Sequence, residues 1–158
     1  TNGRTMMGIT PDDAVALFAR LPRRPVAFGA NCGTGPGQLL ATVLGLGEAA
    51  GPDALLVAKG NCGIPEYRDG HICYSGTPAI MADYARLARD CGARIVGGCC
   101  GTTAVHVAAM REALDDGERG PVPELSSIAA ALGPVVVPRV LGVGPAERER
   151  AERRRRRA

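Results

Sequence analysis

Cys99 and Cys100 stand side by side between Gly98 and Gly101, where an apolar run (Ile95-Val96-Gly97) gives way to a helical one from Thr103. Neighbouring side chains of a regular strand face opposite ways, so two thiols directed at one point require that the strand has already ended. The flanking glycines permit the tight backbone this needs. A third cysteine, Cys32, lies 67 residues upstream of Cys99, again just past an apolar run and followed by Gly33-Thr34-Gly35. Three thiolates from separate strand ends suit Zn²⁺, which binds sulfur tetrahedrally, and three protein ligands leave the fourth position to a substrate. A soft site of this kind favours a sulfur ligand there, held as a thiolate and nucleophilic at neutral pH. Coordination itself favours loss of the thiol proton, so no protein side chain is needed as a base. Buried apolar packing is the bland account of any cysteine. Three of them in glycine turns at strand ends argue against it here.

The elements that must position these thiols follow from periodicity and caps. Thr10-Pro11-Asp12-Asp13 is a helix start, with a threonine cap, proline at the first helical position and acids in the first turn. The helix Asp12 to Arg20 should turn Ala14, Val15, Leu17 and Phe18 inward, and Leu21-Pro22 ends it. Three apolar runs follow as strands, Pro25–Ala30, Leu55–Ala58 and Ile95–Gly97, each succeeded by a helical pattern: 37–49, 79–91 and 103–114. Residues 64–76 read as a loop, and Glu124 to Leu132 as a short helix. Strands that are continuously apolar and alternate with helices indicate a parallel sheet covered by helices, an α/β fold. Ligands of such sheets gather at the carboxyl ends of the strands. All three strands end in glycine-rich turns bearing cysteine: Cys32, Cys62 and the Cys99–Cys100 pair.

The totals agree with a globular enzyme. Hydrophobic residues make up 46%, and the 158 residues suffice for one domain with a sizeable core. The net charge of +3 belongs to the end of the chain: residues 146–158 hold seven arginines against three glutamates, leaving the remainder slightly acidic. Without interleaved aromatics that Arg-rich tail reads as a disordered, solvated segment rather than a nucleic-acid site. No apolar run approaches the ~18 residues of a membrane span, and no basic and apolar leader opens the sequence. The expectation is a cytoplasmic protein whose cysteines are reduced, catalytic or metal-bound rather than disulfide-paired.

Gly29-Ala30-Asn31-Cys32 together with Gly97-Gly98-Cys99-Cys100-Gly101-Thr102 resembles the zinc signature of the homocysteine S-methyltransferase family. Ala58-Lys59-Gly60-Asn61-Cys62-Gly63-Ile64-Pro65 through Tyr74-Ser75-Gly76-Thr77-Pro78 resembles its bacterial betaine–homocysteine methyltransferase branch. The resemblance covers about Thr1 to Leu114. It implies a (β/α)₈ barrel, Cys32, Cys99 and Cys100 as zinc ligands, homocysteine as the thiol, betaine as the favoured methyl donor and methionine as product. A whole barrel takes about 250 residues. The resemblance therefore implies a partial barrel, the last three strand–helix units with a preceding helix, in residues 1–117. Residues 118–145 would add a short helix and an extended segment before the tail at 146–158. Such a chain is expected to be a carboxyl-terminal portion, or half of a split enzyme completed by a partner chain. The competing reading is a non-catalytic zinc-binding or interaction fragment.

The remaining polar residues carry weaker signals. Asn31 and Lys59 are candidates for binding substrate, the lysine through a carboxylate; a solvated strand-end lysine is the equal alternative. Cys62 is expected to pack beside the site rather than ligate, Cys91 and Cys73 to be structural, His106 to cap or face solvent, and His71 to be exposed. Gly33-Thr34-Gly35-Pro36-Gly37 lacks the phosphate-loop lysine and the dinucleotide fingerprint, so it reads as a tight turn that lets substrate approach.

Overall fold

The computed structural model describes residues 3–115 and 117–136. The Arg-rich tail expected at 146–158 lies outside them. Within them the chain runs α1 (Pro11–Ala19), β1 (Phe28–Asn31), α2 (Pro36–Ala50), β2 (Leu56–Gly60), β3 (Pro65–Arg68), β4 (His71–Tyr74), α3 (Pro78–Asp90), β5 (Ala93–Gly98), α4 (Ala104–Asp115) and α5 (Leu125–Leu132).

β1, β2 and β5 form a parallel sheet in the order β1-β2-β5, so the last strand pairs with the middle one across the hairpin and α3. The fold is mixed α/β, and the sheet is open: among the described residues no further strand closes it into a barrel. β1 starts later than the apolar pattern suggests. Pro25 has no N–H to give a ladder and Val26 is exposed; pairing begins where the Phe28 N–H donates to the Leu55 carbonyl at 3.1 Å.

The helices cover one face of the sheet. Along β2, Leu56, Ala58 and Gly60 are buried while Lys59 is exposed. The period-2 alternation of a strand puts the first three beneath the helices and Lys59 on the opposite face. The core joins Leu40, Val43 and Leu46 of α2 to Met81, Tyr84 and Ala88 of α3, with Ile128 and Leu132 of α5 closing over both. α1 is more peripheral than its pattern implies. It rests on α2, Phe18 meets Phe28 with ring centroids 4.9 Å apart, and Leu17 faces solvent. Its cap is as the sequence reads: Thr10 and Asp13 exchange hydrogen bonds in a capping box.

The segment read as a loop is instead an antiparallel hairpin, with Pro65 paired to Tyr74 and Arg68 to His71. Asp69 and Gly70 both have positive φ, 48° and 83°, as the two-residue turn of a tight hairpin requires. Cys73 therefore lies on β4, exposed, rather than in a loop. Among the described residues no helix is long and apolar enough to cross a membrane.

Candidate metal centre

β1 and β5 deliver the thiols; β2, between them, delivers none of the three and holds the other two strands in place. The Cys32 N–H donates to the Lys59 carbonyl at 3.0 Å, and the Cys99 N–H donates to the Gly60 carbonyl at 2.7 Å. One residue on, the Cys62 N–H donates to the Cys100 carbonyl at 2.9 Å. Both thiol-bearing turns are thus hydrogen-bonded to consecutive residues of one strand end.

Asn61 completes that frame. It is 1% exposed, and the two ends of its amide reach opposite turns. Nδ2 donates to the Gly33 carbonyl at 2.8 Å, while Oδ1 accepts from the Cys100 N–H at 3.2 Å. Tyr84 of α3 braces the same level from the helix side. Its hydroxyl accepts from the Gly60 N–H at 2.8 Å and donates to the Gly97 carbonyl at 3.3 Å, tying β2 to β5. A Cβ at Gly60 would stand 3.0 Å from the Tyr84 ring, so glycine is what admits the phenol there. Burial pushes the Tyr84 phenol far above its ordinary value, so it remains a protonated donor at neutral pH.

The sulfur atoms of Cys32, Cys99 and Cys100 all lie within 4.8 Å of one another. Cys100 is 3.9 Å from Cys32 and 3.9 Å from Cys99. A tetrahedron with metal–sulfur arms of ~2.3 Å has edges of roughly 3.8 Å, so the two 3.9 Å separations match a metal of zinc's size, and the third pair, within 4.8 Å, would close on it. Cys32 takes the left-handed backbone conformation, with φ 65°. A residue with a side chain stays there only when its surroundings over-determine it, at a cost of about 1–3 kcal/mol. Six free thiols are present, and only these three meet in a group that could hold a metal among the described residues.

The environment separates the thiols. Burial opposes ionisation of Cys99, but hydrogen bonds from Cys100, the Asn31 side chain and Cys32 outweigh it and hold Cys99 below its ordinary pKa. The Tyr74 hydroxyl stabilises the Cys100 thiolate, yet the interactions with Cys99 and Cys32 prevail, and Cys100 stands above its ordinary value. Tyr74 reaches the site from β4. Its ring covers Gly101, where φ is 75° and any Cβ would overlap the ring, so the hairpin folds down beside the sulfurs.

The other sequence candidates fall around this centre. Asn31, the last residue of β1, favours the ionised form of Cys99. Lys59 is exposed between Asn31 and Gly97, its register partners on the two flanking strands. Cys62 is buried and its thiol donates to the Gly76 carbonyl at 3.4 Å, a packing role beside the centre. Cys91 caps α3 from within the core. His106 accepts from the Thr103 N–H through Nδ1 at 3.1 Å, capping α4. His71 is exposed on β4. A groove of about 390 Å³ between α3 and α4, lined by Pro78, Ala82, Arg86, Ala109 and Glu112, contains none of the thiols. Asn61, Tyr74 and Tyr84 are the residues that sequence reasoning missed. Asn61 carried a signal in its place beside Cys62 in the second glycine turn, and Tyr74 in opening the second stretch of the branch resemblance; Tyr84 carried none.

Fold and centre together define a parallel α/β protein with a three-thiol, metal-capable cluster at the carboxyl ends of its strands. A family model described as homocysteine S-methyltransferase matches residues 1–114, and the chain belongs to that family. The match spans every element that shapes the centre.

Proposed function

We propose that this chain is the zinc-binding portion of a homocysteine S-methyltransferase, with Cys32, Cys99 and Cys100 holding Zn²⁺. The family supports methyl transfer to homocysteine. The observation that carries the finer reading is the grouping of the three sulfurs within 4.8 Å, two of their separations matching the edges of a thiolate tetrahedron. When bound there, zinc would keep the substrate sulfur as a thiolate at neutral pH. The protein's own groups prepare for it. Asn31 favours the ionised form of Cys99 and Tyr74 that of Cys100, while Asn61 and Tyr84 fix the distance between the strands that carry the ligands.

The branch resemblance favours betaine as donor. The open sheet, whose β1 and β5 edges are unpaired among the described residues, suits a carboxyl-terminal part of a (β/α)₈ barrel whose body is residues 1–117. A cytoplasmic setting, which keeps thiols reduced, goes with this reading.

The test is metal content and Co²⁺ substitution of the purified chain, followed by homocysteine. One metal per chain, lost in Cys99→Ala, with a cobalt–thiolate band that changes on adding homocysteine, is the expected result. Tight metal retention with no response to homocysteine would favour a closed, non-catalytic zinc site. Absence of metal binding would sink both readings.

A further inference from the structure

We propose that Lys59 is the carboxylate-binding residue of this site, holding the acid group of the thiol substrate or of the methyl donor beside the three sulfurs. The inference rests on the methyl-transfer reading above and adds the chemistry by which the site selects its substrate.

The 19 cationic residues of this chain are eighteen arginines and one lysine, Lys59. It occupies the penultimate position of β2, in register with Asn31 of β1 and Gly97 of β5, and its own carbonyl accepts the Cys32 N–H. Its neighbours Ala58 and Gly60 are buried, so Lys59 projects from the face that the helices leave open. On that face its stem runs beside Gly97. A Cβ at Gly97 would lie 3.7 Å from Lys59 Cγ, which places the lysine stem along the backbone of β5 just before the cysteine pair.

Charge gives this placement its meaning. Three thiolates outweigh one divalent cation, and a substrate thiolate adds to the excess, so any carboxylate brought to the site meets repulsion unless a cation receives it. Among the described residues, the turns that follow β1, β2 and β5 contain one other full cation, Arg68 on the hairpin, which is ion-paired with Glu66. Lys59 makes no ion pair among the described residues; all four such pairs use arginine. A compact ammonium on a flexible stem can follow a mobile carboxylate, whereas a guanidinium fork demands a fixed bidentate geometry. A merely solvated lysine would need none of these conditions.

The test uses the full 158-residue chain loaded with Co²⁺, as wild type, Lys59→Met and Lys59→Arg. Each is titrated calorimetrically with homocysteine and with its decarboxylated analogue, 3-aminopropanethiol. Betaine and carboxylate-free tetramethylammonium are then titrated into the thiol-loaded protein. An unchanged cobalt–thiolate band before substrate shows that the exposed substitutions leave the cluster intact. If the acid is the thiol's, wild type binds homocysteine roughly 10- to 100-fold tighter than the analogue. Lys59→Met then abolishes that preference without weakening the analogue, and Lys59→Arg keeps part of it. If the acid is the donor's, the same pattern falls on betaine against tetramethylammonium. Equal loss of both thiols in Lys59→Met would assign the lysine to the charge of the metal cluster and overturn the proposal. So would a wild type indifferent to the carboxylate in both arms, which leaves the methyl-transfer reading standing. A wild type that binds no thiol overturns both.

Discussion

Cys99 and Cys91 are eight residues apart in sequence, and the fold makes opposite uses of them. Cys91 lies at the end of α3 among apolar side chains, and burial with the nearby Asp90 charge pushes its thiol up to about 12. Cys99 lies past the end of β5, where Cys100, Asn31 and Cys32 hydrogen-bond its sulfur and hold it below its ordinary value despite burial. Both residues are partly withdrawn from water. What differs is whether donors surround the sulfur, and that depends on position relative to the sheet. Helix-covered positions offer methyl groups. Strand ends offer N–H groups and amide side chains left over from the ladder. Reactivity in this chain is therefore a property of place more than of residue type.

The comparison breaks most completely if a thiol at the strand ends can be removed without consequence. Cys32→Ser or Cys99→Ala should abolish stable metal retention, lowering affinity by at least about 100-fold in a chelator competition, while Cys91→Ala leaves it unchanged. Asn61→Ala comes next. It removes no sulfur but frees Gly33 and Cys100 from each other, and should weaken metal binding roughly 10- to 100-fold, as loss of an outer-shell partner does. Asn61→Asp keeps the acceptor for Cys100 but cannot donate to Gly33, and should fall between. Tyr84→Phe tests the brace on the helix side. It leaves the buried Gly60 N–H without its acceptor and should cost about 1–3 kcal/mol in denaturant unfolding, with a smaller effect on metal affinity than Asn61→Ala. The smallest effect is kinetic. In the metal-free chain near neutral pH, iodoacetamide should alkylate Cys99 before Cys100, and Cys91 last. Cys99 has the lowered pKa, so its thiolate fraction persists furthest as pH falls, whereas the raised Cys100 and Cys91 lose theirs first. Mass mapping of the labelled peptides would show the order, and Cys91 labelling first would mean that position relative to the sheet does not govern thiol reactivity.

The three thiols and the α/β order were legible because each depends on a local pattern, glycine beside cysteine after an apolar run. The frame was not. Asn61 stands in Gly60-Asn61-Cys62-Gly63 as any turn asparagine would, and only the register of β1-β2-β5 shows that its amide spans two turns. Tyr84 occupies an inward helical position that burial alone explains; nothing local predicts where its hydroxyl ends. The hairpin was within reach. Asp69-Gly70 between Pro65–Arg68 and His71–Tyr74 is a strong two-residue turn signal, hidden because neither arm is apolar enough to read as a strand. β3 and β4 contain no fully buried residue, so hydrophobic periodicity had little to register.

The 67-residue separation of Cys32 and Cys99 has a thermodynamic consequence. In the unfolded chain only the adjacent pair could engage a metal together, and recruiting Cys32 would mean closing a loop whose entropic cost is roughly 4 kcal/mol. In the folded chain that closure is already made, by four register pairs joining β1 to β2 and by β2 joined to β5. A metal on all three sulfurs therefore binds the native sheet far better than the denatured ensemble, and mass action makes it a clasp on the edge strand. The thermal midpoint should rise with free metal concentration, and chelation should release β1 first. Occupancy of all three sulfurs would then report whether the sheet is assembled, and a chain with a metal on them would already have passed its own folding test.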